Sequence, residues 1–138
     1  MSLYKLDNIS VLYVEDNPDL REAFSKKLQT RVKKLYCAEN GLDGYEQYLL
    51  HHPDIIVSDI MMPYLDGIEM VKKIRETDKE IPIVFTTSSR DNGIINGSMD
   101  LQVQGYLSKP VKINELLELL STMSQLLHLQ DSSHDIYI

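Results

Sequence analysis

The sequence contains almost no cysteine, since Cys37 is the single one among 138 residues. One thiol cannot form an internal disulfide, and it cannot supply the paired ligands of a cysteine zinc site. Such sparing use of cysteine is typical of a reducing, cytosolic compartment. No apolar run approaches the roughly 20 residues of a membrane-spanning helix, and the N-terminus lacks the charged-then-apolar pattern of a signal peptide. We therefore expect a cytoplasmic protein that does not enter a membrane.

Positive charge is the second deficit. Lys and Arg number 14 against 21 Asp and Glu, which gives a net charge of −7 and an isoelectric point near 5.0. Such a surface repels phosphate backbones and anionic lipid, so we expect neither direct nucleic-acid binding nor membrane binding. The sequence also lacks a GxxxxGK[ST] phosphate loop, a GxGxxG dinucleotide fingerprint and an HExxH zinc motif. A metal ion, a small molecule or another protein remains as the partner.

Length and composition fit one globular domain, in which 43% of the residues are apolar and short apolar segments alternate with amphipathic ones. The apolar segments predict strands at residues 9–14, 32–38, 54–59, 81–87 and 104–108. The intervening segments predict helices that begin after Asn17, at 42–50, at 67–76, within 91–101 and at 114–129. Five consecutive strand–helix units predict an α/β fold with a parallel sheet that helices cover on both faces.

Polar residues follow four of the five predicted strands. They are Glu15 and Asp16 after the first strand, Asp59 at the end of the third, Thr86 and the hydroxyl residues after it on the fourth, and Lys109 after the fifth. In an open parallel sheet these strand ends share one edge, where ligands bind. Three carboxylates brought together need a cation, and oxygen ligands without His or Cys favour Mg²⁺. A lysine and a hydroxyl beside that cation suit a phosphoryl group, which a carboxylate can accept as a nucleophile.

Three segments carry a family resemblance: residues 11–17 (VLYVEDN), residues 54–67 (DIIVSDIMMPYLDG) and residues 105–110 (GYLSKP). In this order they resemble the receiver domain of response regulators in two-component signal transduction, over nearly the whole chain. The resemblance implies a flavodoxin-like (βα)5 fold with a central five-stranded parallel sheet. Residues 1–129 would form the receiver domain. Residues 130–138 would form a C-terminal tail, which either leads to a missing output module or ends a stand-alone regulator.

For the acidic residues, the resemblance implies specific roles. Asp59 would accept a phosphoryl group from the phosphohistidine of a partner sensor histidine kinase or phosphotransfer protein. Glu15, Asp16 and Asp59 would hold Mg²⁺, with the backbone carbonyl of Met61 as a further ligand. We therefore expect Mg²⁺ as the cofactor, in a signalling switch that catalyses only its own phosphorylation and dephosphorylation and turns over no separate substrate.

The resemblance also implies how the switch works. Thr86 and Lys109 would contact the phosphoryl oxygens. Tyr106 would be an aromatic switch that moves inward as Thr86 is drawn toward the phosphoryl group. The helix predicted within 91–101, the fifth strand and the last helix would together form the output face.

Two features depart from the family pattern. Thr87 stands where a very small residue is usual, and we expect its bulk to slow both phosphorylation and dephosphorylation. Gly93 and Gly97 lie inside the helix predicted within 91–101. Because each interior glycine costs a helix about 1 kcal/mol relative to alanine, we expect a short or irregular helix there.

The last predicted helix contains more leucine than one sheet-facing side requires. One stripe consists of Ile113, Leu116, Leu120, Met123 and Leu127, and Leu117, Leu119 and Leu126 lie elsewhere around the helix. Two interpretations remain open. Either the helix binds a partner, as a homodimer or with a downstream output domain, or it is simply an apolar covering helix.

Taken singly, the site residues have ordinary structural explanations, such as core packing for Tyr106 or a solvated surface position for Lys109. Their placement at the ends of different strands favours the functional interpretation. A Mg²⁺-dependent phosphatase with an aspartyl nucleophile is one rival, but such enzymes usually carry a second acid where this chain has Met61. A degenerate receiver that only binds proteins is another, and the complete set of acids, hydroxyl and lysine argues against it.

Overall fold

Five parallel strands form one sheet in the order β2-β1-β3-β4-β5 in the computed structural model, which describes residues 6–88, 91 and 100–136, with side chains as far as residue 127. The strands are β1 (Leu6–Val14), β2 (Val32–Ala38), β3 (Ile55–Asp59), β4 (Ile83–Thr87) and β5 (Gly105–Ser108). The described helices are α1 (Pro18–Leu28), α2 (Gly41–His51), α3 (Gly67–Arg75) and α4 (Ile113–Ile136). All four strand pairings are parallel, which confirms the predicted α/β class.

Each of the first three helices begins at a side chain that caps it. Asn17 Oδ1 accepts hydrogen bonds from two backbone N–H groups at the start of α1, at 2.9 and 3.1 Å. Asn40 caps α2 and Asp66 caps α3, each through one hydrogen bond of 2.8 Å. A cap satisfies backbone donors that the helix itself cannot, and so it defines the residue at which the helix begins. The caps therefore limit the lengths of the loops that follow the strands.

Alternation along the strands divides the buried side chains between two apolar layers, one on each side of the sheet. On one side, Val57 and Val84 pack against α1 and α4, and we call this the α1/α4 face. On the other side, Ile56 and Phe85 pack against α2 and α3, and we call this the α2/α3 face. Because apolar side chains cover both faces, polar function is left to the ends of the strands.

Three element bounds differ from the predictions by two residues or more. β1 begins at Leu6 rather than at residue 9, β4 begins at Ile83 rather than at residue 81, and α4 reaches Ile136 rather than residue 129. Pro82 accounts for the late start of β4, since proline has no N–H to donate to a neighbouring strand.

The helix predicted within 91–101, including Gly93 and Gly97, lies outside the described residues apart from Asp91 and its last two positions. The side chains of the predicted tail, residues 130–138, also lie outside them. None of the helices in the described part of the chain is both long and apolar enough to cross a membrane.

A buried arginine holds the segment that enters β5. Arg75, in the last turn of α3, donates hydrogen bonds to the carbonyl oxygens of Leu101 (2.7 Å) and Gln102 (3.0 Å). The chain turns at Gln102, whose φ is 57°. The side chain of Gln104 then accepts a hydrogen bond of 2.7 Å from the Ile83 N–H at the start of β4. These contacts help to set the register of β5 on β4, and with it the position of the carboxyl end of β5.

The packing of α4 predicts a contrast between two of its leucines. Leu120 is fully buried on the α1/α4 face, whereas Leu126 is 57% exposed. We expect Leu120→Ala to lower the free energy of unfolding by about 2–5 kcal/mol, because it leaves a cavity. Leu126→Ala, the matched control, should change the free energy by no more than about 0.5 kcal/mol. Urea unfolding followed by circular dichroism measures both, and equal losses would contradict this orientation of α4.

Candidate functional site

Glu15 directly follows β1 and is almost completely buried. Its N–H donates a hydrogen bond of 3.0 Å to the Ala38 carbonyl, and its own carbonyl accepts one of 2.8 Å from Arg21 Nη1. Of the carboxylate oxygens, Oε2 accepts a hydrogen bond from the Asn17 N–H at 3.0 Å and Oε1 accepts one from Lys109 at 3.1 Å. The carboxylate is thus held in place at the edge of the sheet.

Asp59 ends β3 and is 6% exposed. Its Oδ1 accepts a hydrogen bond from the Ile60 N–H at 2.8 Å, and its carbonyl accepts one from Ser58 Oγ at 2.8 Å. The first residue of α3, Gly67, lies so close that a Cβ there would be 2.3 Å from the Asp59 carbonyl oxygen. The main chain around Asp59 therefore has little freedom to move, and the second carboxylate oxygen, Oδ2, points to β5.

Lys109 follows β5 and joins the two acids. Its Nζ lies 2.9 Å from Asp59 Oδ2 and 3.1 Å from Glu15 Oε1. Its backbone N–H donates to the Thr87 carbonyl at the end of β4, at 2.6 Å. Because these ion pairs are largely buried, salt and solvent screen them less than surface pairs. The structure therefore brings together the predicted residues Glu15, Asp59 and Lys109.

Asp16 adds a third carboxylate to this group. One oxygen each of Glu15, Asp16 and Asp59 lies within 4.8 Å of the others, so the three could ligate one metal ion. Donors that are all oxygens suit a hard divalent cation. The three carboxylates and the Lys109 ammonium carry a formal charge of about −2 together, which one divalent cation would balance.

Burial disfavours the ionised forms of the two buried acids. It raises the pKa of Asp59 above its ordinary value, although the hydrogen bond and the charge of Lys109 oppose the shift. The pKa of Glu15 is also raised, mainly by burial and further by the charge of Asp59. Burial alone would lower the pKa of Lys109, but its hydrogen bonds and charge interactions with Asp59 and Glu15 outweigh burial and raise it. Lys109 therefore stays a cation beside two acids whose negative charge costs free energy.

Two threonines end β4, and they belong to opposite faces of the sheet. Thr86 is aligned with Asp59 on β3, and Tyr106 is aligned with Phe85, which lies on the α2/α3 face. Because successive strand residues alternate in direction, Thr87 shares the face of Tyr106 and Thr86 takes the α1/α4 face. The register therefore places Thr86 beside Asp59 on the neighbouring strand and on the opposite face of the sheet from Tyr106.

Two of the predicted site residues have half-exposed side chains. Met61 is 43% exposed and lies in the segment between β3 and α3. Its predicted role concerns the backbone carbonyl, which this exposure does not affect. Tyr106 is 40% exposed, with its ring centroid 6.0 Å from that of Phe85. The aromatic ring is thus at the surface of the α2/α3 face in this structure.

A cavity of about 360 Å³ adjoins the acids on the α1/α4 face. Its lining consists of Tyr13, Leu20, Phe24, Pro110, Val111 and Leu116 together with Glu15, Thr86 and Lys109. Sequence reasoning missed Tyr13, whose pKa is raised by burial and by the nearby charges of Glu15 and Asp59, so that the phenol stays neutral. The signal was present, because Tyr13 lies on β1 two positions before Glu15 and extended chain brings such residues to the same side.

Comparison with known proteins identifies the family. The family model described as the response regulator receiver domain matches residues 11–121. The chain belongs to this family. It is thus a receiver domain of two-component signalling systems, a family that interacts with sensor kinases or phosphotransfer partners.

Curated relatives agree with this assignment. Response regulator MprA of Mycobacterium ulcerans is 28% identical over 124 residues, which are 90% of this chain and 53% of that protein. MprA of Mycobacterium leprae is 31% identical over 107 residues, 78% of this chain and 47% of that protein. The receiver chain therefore spans about half the length of the curated relatives that it matches.

Solved structures confirm the predicted flavodoxin-like arrangement of the sheet. The N-terminal domain of an uncharacterized protein from Wolinella succinogenes superposes with a TM-score of 0.84 at 27% identity, covering 88% of this chain and 98% of that one. The REC domain of AraT, a response regulator from Geobacillus stearothermophilus, gives a TM-score of 0.79 at 25% identity, covering 89% and 98%.

The raised pKa of Asp59 predicts that removal of its charge stabilises the metal-free receiver domain. Asp59→Asn keeps the size of the side chain, and we expect it to raise the free energy of unfolding and the thermal midpoint at pH 7. Asp7→Asn, an exposed position on β1, is the control and should have little effect. Thermal unfolding in a chelator measures both.

The pH dependence of this difference follows from the direction of the shift. A carboxyl group whose pKa is higher in the folded state contributes stability below its ordinary pKa of 3.8 and loses it as the pH rises through the folded value. The stability gap between Asp59→Asn and the parent should therefore narrow as the pH is lowered toward 4. A gap that widens on acidification would contradict the raised pKa.

Proposed function

We propose that this receiver domain is a phosphorylation switch in which Asp59 accepts the phosphoryl group. The supporting observation is the placement of its buried carboxylate, 2.9 Å from Lys109 Nζ and within one group of three acids. The donor is the phosphohistidine of a sensor histidine kinase or phosphotransfer protein, the partner class that the family implies. The domain catalyses only its own phosphorylation and dephosphorylation.

The chemistry is a phosphoryl transfer between two nucleophiles. A carboxylate oxygen of Asp59 attacks the phosphorus, a P–O bond forms, and the P–N bond breaks with its electron pair returning to the imidazole nitrogen. For dephosphorylation, water attacks the phosphorus, the P–O bond to Asp59 breaks, and inorganic phosphate leaves. Asp59 must be ionised to attack, and the Lys109 ammonium, whose hydrogen bond and charge oppose the rise in the Asp59 pKa, favours that state.

Mg²⁺ is the metal that we propose for the acidic group. Glu15, Asp16, Asp59 and the backbone carbonyl of Met61 would hold it, with water completing the oxygen ligands. When bound, Mg²⁺ neutralises charge that collects on the transferring phosphoryl oxygens. The donor set and its formal charge support this choice, because both suit a hard divalent cation.

We propose that Lys109 stabilises the negative charge that phosphorylation adds at Asp59. An aspartyl phosphate carries about one more negative charge than the carboxylate it replaces. The Lys109 ammonium already donates to Asp59 Oδ2, so a small movement takes it to a phosphoryl oxygen. Such a preformed donor requires little reorganisation during transfer.

A hydroxyl at the end of β4 is proposed to report phosphorylation to Tyr106. The sequence predicted Thr86 for this role, but the register favours Thr87, since only Thr87 shares a face with Tyr106. Thr86, aligned with Asp59, is left as a phosphoryl contact from the α1/α4 face. A change at Tyr106 would then alter our proposed output face, which the family resemblance assigns to β5, α4 and the helix predicted within 91–101.

The last helix is the proposed route to an output module or to a second copy of the chain. α4 covers the α1/α4 face with Leu116, Leu120 and Met123, while Leu126 is left 57% exposed. The backbone of α4 continues as helix to Ile136. Because the curated relatives are about twice as long as the matched region, we propose residues 130–138 as a linker to such a module.

Intact-mass analysis tests the acceptor directly. The parent and Asp59→Asn are incubated with acetyl phosphate, with Mg²⁺ or with excess chelator. We expect one phosphoryl adduct on the parent that needs Mg²⁺, and no adduct on the variant, because the attacking oxygen is then an amide oxygen. Asp54→Asn is a control on the same strand region and should leave the adduct unchanged.

The alternatives give distinct outcomes in that experiment. Lack of any adduct on a folded parent would favour a degenerate receiver that only binds proteins. Multiple turnover of a generic phosphate ester would favour the aspartyl phosphatase. An adduct that persists in Asp59→Asn would assign the acceptor to another residue.

A matched pair of isosteric variants distinguishes the two threonines. Thr86→Val and Thr87→Val each remove one hydroxyl from a buried position and keep the shape of the side chain. We expect the NMR signal of the Tyr106 ring to respond to beryllofluoride, a phosphoryl mimic, in the parent and in Thr86→Val but not in Thr87→Val. The reverse result would restore Thr86 as the switch residue.

A smaller side chain tests whether the bulk of Thr87 slows phosphorylation. Thr87→Ala removes the methyl group as well as the hydroxyl, so faster phosphorylation than in Thr87→Val would reveal a steric effect. Equal rates in these two variants would show that the bulk of Thr87 does not limit the transfer.

A further inference from the structure

The segment between β3 and α3 is held at both of its ends by glycine N–H groups. At one end, Gly67 donates to the carbonyl of Ile60 at 2.8 Å. At the other end, Gly41, the first residue of α2, donates to the carbonyl of Leu65 at 2.9 Å. Residues 60–65, which we call the acceptor loop, therefore rest on the start of a helix that is distant in sequence and carries none of the predicted site residues.

The contact at Gly41 leaves no room for a side chain. A Cβ there would lie 2.1 Å from the carbonyl oxygen of Leu65, 2.8 Å from its carbonyl carbon and 2.9 Å from the carbonyl oxygen of Asp66. All three neighbours are backbone atoms, so no rotamer change could relieve the overlap. Any substitution must displace either the acceptor loop or the start of α2.

The same helix offers a contrasting glycine. A Cβ at Gly44 would meet Met70 Sδ at 2.6 Å and the two methyl groups of Val14 at 3.1 and 3.4 Å. These neighbours are side chains, and a methionine side chain can adapt. Gly44 therefore needs space within the apolar layer, whereas Gly41 needs a particular position of the loop backbone.

We propose that Gly41 is a positioning residue for the metal and phosphoryl site. It acts through Leu65, because the first turn of α2 sets the position of the acceptor loop and thus the position of the Met61 backbone carbonyl. This inference rests on the proposed function, since it takes Met61 as a ligand of Mg²⁺. It extends the site to α2.

The acceptor loop has little conformational freedom to accommodate a displacement of Leu65. The Leu65 N–H donates to the Pro63 carbonyl at 2.8 Å, which closes a tight turn. Tyr64, inside that turn, has a φ of 69°, a conformation that non-glycine residues rarely adopt. A shift at Leu65 therefore moves the turn as a unit and reaches Met61, while Gly67 holds the far end at Ile60.

The test compares Gly41→Ala with Gly44→Ala, which make the same chemical change on one helix. We expect Gly41→Ala to weaken Mg²⁺ binding about tenfold, the usual scale for loss of support behind a ligand. Gly44→Ala should bind Mg²⁺ like the parent, even where its thermal midpoint falls. Isothermal titration calorimetry gives the affinities, and thermal unfolding in a chelator gives the stabilities, so a purely structural role would change only the second quantity.

A measurement on the parent protein avoids any doubt about folding of the variants. If Gly41 supports the acceptor loop, then Mg²⁺ binding must in turn stabilise the contact between Gly41 and Leu65. We expect Mg²⁺ to slow hydrogen exchange of the Gly41 amide several-fold. The amide of Gly44, which donates to the carbonyl of the capping residue Asn40 at 2.8 Å, is the matched control and should exchange at an unchanged rate.

The outcomes separate this inference from the function on which it rests. A parent that binds no Mg²⁺ would overturn both. A parent that binds Mg²⁺ while Gly41→Ala binds it equally well, or while the Gly41 amide does not respond, would overturn the positioning role and leave the acceptor chemistry intact. Equal weakening in Gly41→Ala and Gly44→Ala would assign the effect to general destabilisation and would likewise refute it.

Discussion

Crowding of negative charge at one edge of the sheet is the constraint on which the site depends. Glu15 and Asp59 are buried, Asp16 lies beside them, and Lys109 donates to two of the three. Burial raises the pKa of both buried acids despite that lysine, so the metal-free receiver domain holds charge that its surroundings do not fully compensate. The same imbalance would favour the binding of a cation, because a bound cation would relieve the uncompensated charge. Stability and function are therefore opposed at this edge.

The remainder of the fold compensates for the cost of placing these acids together. Two apolar layers bury the strands, and their packing contributes folding free energy that offsets the cost of burying the acids. Main-chain contacts then keep the acids in place: Gly67 lies against the Asp59 carbonyl, and the Ile60 N–H holds Oδ1. A carboxylate fixed in this way cannot rotate to avoid its neighbours, and on the proposed mechanism this keeps it oriented for attack on phosphorus.

Sequence reasoning reached the acids and the lysine because their positions follow from a simple rule. Parallel strands end at one edge, so Glu15, Asp59 and Lys109 had to converge once the strands were recognised. The rule does not give the face on which a strand-end residue lies when two similar residues are adjacent. Thr86 and Thr87 are adjacent on β4 and face opposite sides of the sheet. The register of β4 on β5 decides which of them shares a face with Tyr106. The contact of Gly41 with Leu65 is likewise a matter of tertiary packing, which no local pattern contains. The end of α4 was misplaced because helical periodicity weakens where the polar residues begin.

Lys109 connects the two parts of the proposed switch. Its Nζ contacts Asp59 and Glu15, and its backbone N–H donates to the Thr87 carbonyl at 2.6 Å. A cation bound to Glu15 would weaken the ion pair between Glu15 and Lys109. The Lys109 ammonium could then move with the phosphoryl oxygens on Asp59. Because the Lys109 N–H is hydrogen-bonded to the Thr87 carbonyl, we propose that the end of β4 would resist this movement. The displacement would then pass along β5 to Tyr106, which precedes Lys109 by three residues. On the proposed mechanism, phosphorylation therefore acts on Tyr106 from two directions, through the hydroxyl of Thr87 and through the backbone of Lys109.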